Sequence, residues 1–161
     1  MTVIIFLAFF IIVIMILIQT KTQKKSIKTE DLPYKRKKLL SEAECNFYQV
    51  LKNILPENRQ ITCKPRLEDL LYVEKSSSRN SYRGKIQNRH IDFVIFNPVN
   101  GYTDFAIELD DKSHETEKQK QIDKFKDEVF QKIGMPLIRI PAKRTYDPKE
   151  IIEEINKKIK K

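Results

Sequence analysis

The apolar residues of this chain follow three patterns, and each predicts a different element. Residues 3–18 are sixteen apolar residues in a row without a charge. As a helix rising about 1.5 Å per residue they span roughly 24 Å. With Met1, Thr2, Gln19 and Thr20 they reach about 30 Å, the thickness of a bilayer core. No Lys or Arg precedes the run, and Leu17-Ile18-Gln19-Thr20 is a poor cleavage site. The expectation is a retained transmembrane anchor over residues 1–20 rather than a cleaved signal peptide.

The second pattern has helical period. Ser41-Glu42-Ala43-Glu44 forms a capping box, Ala43, Phe47, Val50, Leu51 and Ile54 recur on one face, and Pro56 closes the helix. Thr116-Glu117-Lys118-Gln119 caps a second helix, faced by Ile122, Phe125, Val129 and Ile133 and ended by Gly134. Asp147-Pro148 opens a third, with Ile151, Ile152, Ile155 and Ile159 as its stripe. The third pattern is short, β-branched and aromatic. It predicts strands over residues 60–66, 91–97, 103–109 and 135–141, with residues 98–102 as turn material. Residues 74–90, rich in Ser, Asn and basic side chains, read as a loop.

The order is helix, three strands, helix, strand, helix. Three strands in succession form an antiparallel meander. A strand reached through a helix lies parallel to its predecessor, by a right-handed crossover. The fold class is therefore α/β, an αβββαβ core with a C-terminal helix behind one N-terminal transmembrane helix. The domains are an anchor at 1–20, a basic linker at 21–38 and a soluble domain at 39–161.

Charge refines this picture. The net charge is +9. Residues 19–41 hold eight Lys and Arg (Lys21, Lys24, Lys25, Lys28, Lys35, Arg36, Lys37, Lys38) against Glu30 and Asp31, so +6 of the total sits beside the anchor. By the positive-inside rule the N-terminus is outside and the soluble domain is cytoplasmic, on a single-pass protein of the plasma (inner) membrane. These lysines suit anionic lipid headgroups. Two cysteines, Cys45 and Cys63, are too few for a disulfide scaffold or a four-cysteine zinc site.

Glu108 and Asp110 are two apart on a predicted strand, so they share a face opposite Phe105, Ile107 and Leu109. Asp92 joins them if the turn is a five-residue loop centred on Asn100, and is turned away by a two-residue Asn100-Gly101 turn. Three carboxylates on one patch repel unless a cation is present, and hard oxygen donors suit Mg²⁺ or Mn²⁺. Asp111, Lys112 and His114 follow and offer a proton acceptor, a phosphate contact or a ligand. Pattern alone leaves a solvated acidic hairpin end as an equal reading.

These residues resemble a known group. Asp92-Phe93-Val94 followed by Ile107-Glu108-Leu109-Asp110-Asp111-Lys112-Ser113-His114 is similar to the PD-(D/E)XK, or restriction-endonuclease-like, superfamily. The domain-of-unknown-function 2726 family resembles the chain most. Its features match Leu39-Leu40-Ser41-Glu42-Ala43-Glu44, His90-Ile91-Asp92-Phe93, Asp123 with Lys126, and residues 134–139. The resemblance implies a metal-dependent nuclease core with Asp92 and Glu108 as metal-binding acids. Where the superfamily usually has lysine, this chain has Asp110. That lysine has then migrated to Lys126 or Lys112, or Asp110 is a further metal ligand and His114 assists the water.

The catalytic set expected is thus Asp92, Glu108, Asp110, His114 and Lys126, the first three holding Mg²⁺ or Mn²⁺. Glu44, Lys112, Asp123 and Arg139 are accessory positions. Two of them have a plainer reading: Glu44 serves the capping box, and Asp123 forms a surface i,i+3 pair with Lys126. The basic stretch offers Arg79, Arg83, Lys85 and Arg89 to a phosphate backbone and Tyr82 for base stacking. Nucleic acid, DNA rather than RNA, is the expected partner. A catalytically degenerate nucleic-acid- or protein-binding module on the same scaffold is the competing function.

Overall fold

The computed structural model describes residues 2–21, 32–111 and 116–159. The chain divides into two compact units, Met1–Lys37 and Lys38–Lys161. The first contains one helix, α1 (Thr2–Lys21). Its described side chains lie between Phe6 and Ile16, and Phe6, Leu7, Phe9 and Phe10 among them are exposed. Among the described residues no helix is long and apolar enough to cross a membrane.

The second unit runs α2 (Glu42–Ile54), β1 (Gln60–Cys63), α3 (Leu67–Leu70), α4 (Arg79–Ile86), β2 (Phe93–Phe96), β3 (Thr103–Asp110), α5 (Glu117–Lys132), β4 (Leu137–Pro141) and α6 (Pro148–Ile159). It is a mixed α/β fold on a four-stranded sheet ordered β1-β2-β3-β4. The first three strands are antiparallel neighbours, and β4 lies parallel to β3. This is the meander and helical crossover that the strand and helix periods predict.

The register follows from the turn. The Asn97 amide donates to the Tyr102 carbonyl at 2.9 Å, and the Gly101 amide, at φ +75, donates to Asn97 at 2.8 Å. Phe96 pairs with Thr103 but Ile95 pairs with Phe105, so Asp104 is an extra residue, a bulge. Beyond it Phe93 faces Ile107. The sheet end therefore has the register that a five-residue loop gives, and Asp92 falls in line with Glu108.

Both faces of the sheet are covered. On one, Phe47 and Leu51 of α2 and Ile151 and Ile155 of α6 pack against Phe93, Ile95, Phe105, Ile107, Ile138 and Ile140. On the other, Phe130 of α5 packs with Leu67, Ile86 and Ile91 against Val94 and Ala106. A sheet buried on both sides explains why β2 reads as a continuous apolar run, Phe93-Val94-Ile95-Phe96.

Two expectations are corrected. Residues 74–90 are not wholly a loop: α4 forms within them, held by the buried Ile86, while Leu67 anchors the short α3 before it. The buried face of α5 is also rotated. Lys126 and Phe130 are its buried residues, whereas Ile133 is 44% exposed. A lysine inside the apolar stripe hides that stripe from a count of hydrophobic residues.

These contacts set stability expectations for urea unfolding of the full chain. Phe47 is fully buried, its ring 5.5 Å from Phe93 and 4.9 Å from Tyr146. Phe47→Ala is expected to cost about 3–5 kcal/mol. Two of the three glycines, Gly84 and Gly134, should move in opposite directions. A Cβ at Gly84 meets nothing within 4 Å inside α4, so Gly84→Ala should stabilise by about 0.5–1 kcal/mol. Gly134 has equal room but φ +68, so Gly134→Ala should destabilise by about 1–2 kcal/mol.

Candidate functional site

The candidate site lies at the end of the sheet where β1, β3 and β4 finish and β2 begins. Alternation puts Glu108 and Asp110 on the face of β3 opposite Ile107, toward α5. Arg139 of β4 pairs in register with Glu108 and shares that face. Asp92 stands just before β2 and completes the ladder with its side chain. Its Oδ2 accepts the Leu109 amide at 2.8 Å. Its Oδ1 accepts the Lys64 ammonium at 2.5 Å.

Lys64 follows β1 directly and has φ +56, a left-handed conformation for a side-chain-bearing residue. Its amide donates to the Asp92 carbonyl at 2.9 Å, and its Nζ also donates to Glu44 Oε1. Glu44 Oε2 accepts the Ser41 amide at 2.6 Å, and Ser41 Oγ accepts the Glu44 amide at 3.3 Å. The capping box and a place in the site are therefore one arrangement, not alternatives. Burial pushes the Glu44 carboxyl up, but Lys64 and the Ser41 amide outweigh it and leave it below the usual range. Burial pulls the Lys64 ammonium down, and hydrogen bonds to Asp92 and Glu44 more than reverse this.

Glu108 is 8% exposed and Lys126 7%, with Nζ 2.6 Å from Oε1. Burial drives the Glu108 carboxyl up to about 7, and the charge of Asp92 adds to the rise. Lys126 and Arg139 draw it back only in part. Asp92 and Glu108 thus feel each other across β2 and β3. Asp110 is engaged elsewhere: Arg139 Nη1 donates to its Oδ1 at 2.9 Å. The same guanidinium reaches Asp127 at 3.1 Å and Asp123 at 3.4 Å. Burial lowers the Arg139 pKa, and Asp110 and Asp127 raise it above the ordinary value overall. Arg139 accordingly braces α5 and Asp110 against β4.

Among the described residues, no group of three His, Cys, Asp or Glu is gathered closely enough to hold a metal ion. The structure brings together Asp92, Glu108, Glu44, Lys126 and the unforeseen Lys64. It ties Asp110 and Asp123 to Arg139. Asp123 and Lys126 are not a surface pair, because Lys126 turns in to Glu108 and Asp123 turns to Arg139 and Gln119. Lys112 and His114 lie outside the described residues. Lys64 escaped sequence reasoning because it looks like the polar partner in an alternating strand. Its one local signal is the following Pro65, which marks the strand's end.

The basic stretch is only partly available to a ligand. Arg79, Tyr82, Arg83 and Lys85 are exposed on or beside α4. The Lys85 ammonium lies 5.3 Å from the Tyr82 ring centre, and Arg83 approaches Glu68 at 3.7 Å. Arg89 differs: its guanidinium lies 5.0 Å over the Phe125 ring and donates to the Lys85 carbonyl. It braces α4 against α5.

The raised Glu108 pKa gives a pH signature. Between about 4.5 and 7 the folded protein keeps a proton that the unfolded chain releases. Stability is then greatest below this window, falls across it and levels off above it, by at most about 3 kcal/mol. Urea midpoints from pH 4.5 to 8 should trace that fall, and Glu108→Gln should flatten it. Lys126→Met removes the partner of a buried acid. Its penalty should be small at pH 5.5, where Glu108 takes up a proton, and reach about 3 kcal/mol at pH 8.5. An equal penalty at both values refutes the pairing.

Residues 36–159 match the family described as "Protein of unknown function (DUF2726)". No curated protein and no solved structure matches the chain. The matched span takes in α2 to α6 and every acid and cation just described, and the chain belongs to the DUF2726 family.

Proposed function

We propose that the Lys38–Lys161 unit is a metal-dependent phosphodiesterase of the PD-(D/E)XK type, cutting nucleic acid, with DNA favoured over RNA. The observation that carries this is the pair Asp92 and Glu108, facing each other across β2 and β3 at a sheet end lined by Glu44, Lys64 and Lys126. The αβββαβ order and the parallel β4 support the same reading. Mg²⁺ commonly uses one or two carboxylates and fills its remaining positions with water and substrate oxygens. Asp92 and Glu108 fit that donor set, and Mn²⁺ suits it equally. Asp110 enters the set only by leaving Arg139.

When bound, such an ion polarises the phosphate and lowers the pKa of the attacking water. The protein's own part is positional. The Leu109 amide fixes Asp92 in orientation. Lys126, held in the layer beside Glu108, takes the role of the lysine that Asp110 displaces in the superfamily pattern, offering positive charge to a phosphate oxygen. Glu108 must be ionised to serve as a ligand, so activity rises through pH 7. His114, which the sequence offers to assist the water, and Lys112, offered as a phosphate contact, lie outside the described residues. Exposed Arg79, Arg83 and Lys85, with Tyr82, track the nucleic-acid strand.

The degenerate binding module has one observation of its own: each of Asp92, Glu108 and Asp110 already has a cation as partner. A membrane tether is part of the proposal too, supported by the charge-free residues 3–18 and the eight basic residues that follow.

The deciding experiment incubates the full chain with single- and double-stranded DNA and RNA, with Mg²⁺ or Mn²⁺. Cleavage should need the metal and fall at least a hundredfold in Asp92→Asn and Glu108→Gln. Binding without cleavage under either ion would favour the degenerate module. For placement, protease added outside intact cells should leave residues 38–161 intact; their digestion overturns the orientation.

A further inference from the structure

Lys64 bridges two acids that are distant in sequence. Its ammonium touches Glu44 of α2 and Asp92 before β2. Among the described residues it is also the one non-glycine with positive φ, at +56. Such a backbone conformation is unfavourable for an L residue. It persists where surrounding contacts impose it. Here those contacts are the Lys64 amide on the Asp92 carbonyl and the ammonium on the two carboxylates.

Lys64 and Lys126 differ in one decisive way. Lys126 is 8% exposed in its side chain, enclosed beside Glu108, and is carried by the middle of α5. The Lys64 side chain is 25% exposed and stands just past the end of β1, on the solvent side of the two acids that it contacts. Oδ2 of Asp92 is taken by the Leu109 amide and Oδ1 by Lys64. Another cation meeting Oδ1 therefore meets the position that Lys64 fills.

We propose that Lys64 is a resident cation of this site, and that a divalent ion gains Asp92 only by displacing its ammonium into solvent. The proposal rests on the metal reading above and names the residue that sets its affinity. Lys64 places one positive charge between Glu44 and Asp92 in the metal-free protein, so the two acids are held in position without an ion. The same positive charge then opposes the ion's arrival, which makes binding weak and confines it to concentrations at which the exchange is favourable. Lys64 is a positioning residue in this scheme.

The test is calorimetric titration of Mn²⁺ into the full chain in mild detergent, with a thermal unfolding scan of each metal-free protein. Lys64→Gly is the chosen variant, because glycine accepts φ +56 and the ammonium is lost. Lys64→Gln removes the charge while keeping the stem, and serves if the glycine variant fails to fold. Lys64→Arg keeps the charge. The two neutral variants should bind Mn²⁺ at least tenfold more tightly than the native chain, and the arginine variant within about threefold of it. Lys64→Gln should also melt lower without metal, so stability and metal affinity move in opposite directions. A structural role alone moves them together. Unchanged or weaker Mn²⁺ binding by both neutral variants, with the native chain binding, overturns the role of Lys64 and leaves the metal site standing. Absence of Mn²⁺ binding in every protein, Lys64→Gln included, overturns both.

Discussion

The hydrogen bond from the Leu109 amide to Asp92 Oδ2, at 2.8 Å, fixes the geometry on which the rest of this sheet end depends. The last backbone pair of β2 and β3 is Phe93 with Ile107. Past it the ladder continues through a side chain. A carboxylate takes the place of a carbonyl, and an ionised acceptor makes the stronger bond. Asp92 is thereby tied to β3 one residue from Glu108. Everything nearby answers the resulting charge. Lys64 arrives from β1, Lys126 from α5 and Arg139 from β4, so three elements each contribute one cation to acids carried by the hairpin and its flank.

The three pairs differ in what holds them. Lys126 and Glu108 sit between sheet and helix, where desolvation outweighs attraction and pushes the carboxyl up to about 7. Arg139 works in more solvent and engages three aspartates, a geometry that suits its planar fork. Lys64 holds its acids by direct contact at the rim. The site thus contains one acid raised to about 7, Glu108, and another, Glu44, held below the usual range, a separation expected of groups with different duties.

Much of this fold was legible before any coordinates. Helix periods, the Ser41–Glu44 box, the Asp147-Pro148 start and the strand order give the elements and their sequence in the sheet. Residue spacing also gave the choice between two registers for Asp92. The sequence left that choice open because it turns on the extra residue Asp104, and a bulge has no compositional mark here. The buried side of α5 stayed hidden because Lys126 occupies its stripe. The helix α4 has no apolar period to mark it, because its composition is polar and its burial rests chiefly on Ile86. Lys64 is not legible in local pattern, because its importance comes from a backbone twist and two partners distant in sequence. Local pattern therefore found the acids, whereas their cations required tertiary structure.

The hairpin of β2 and β3 also has a consequence for how the chain acquires its shape. Its strands are joined by a short turn, while Cys63 pairs with Phe93 and Ala106 with Leu137, each across about thirty residues. Closing either longer loop costs about 1 kcal/mol more in chain entropy than closing the turn. The hairpin is therefore the first piece of sheet that loop entropy favours, and it carries Asp92 and Glu108 without Lys64, Lys126 or Arg139. On this hypothesis the early chain holds two bare carboxylates side by side, and their repulsion slows its closure. Asp92→Asn should then refold faster than the native chain in stopped-flow mixing despite a weaker final structure; refolding slowed in step with the loss of stability would rule out this order of assembly.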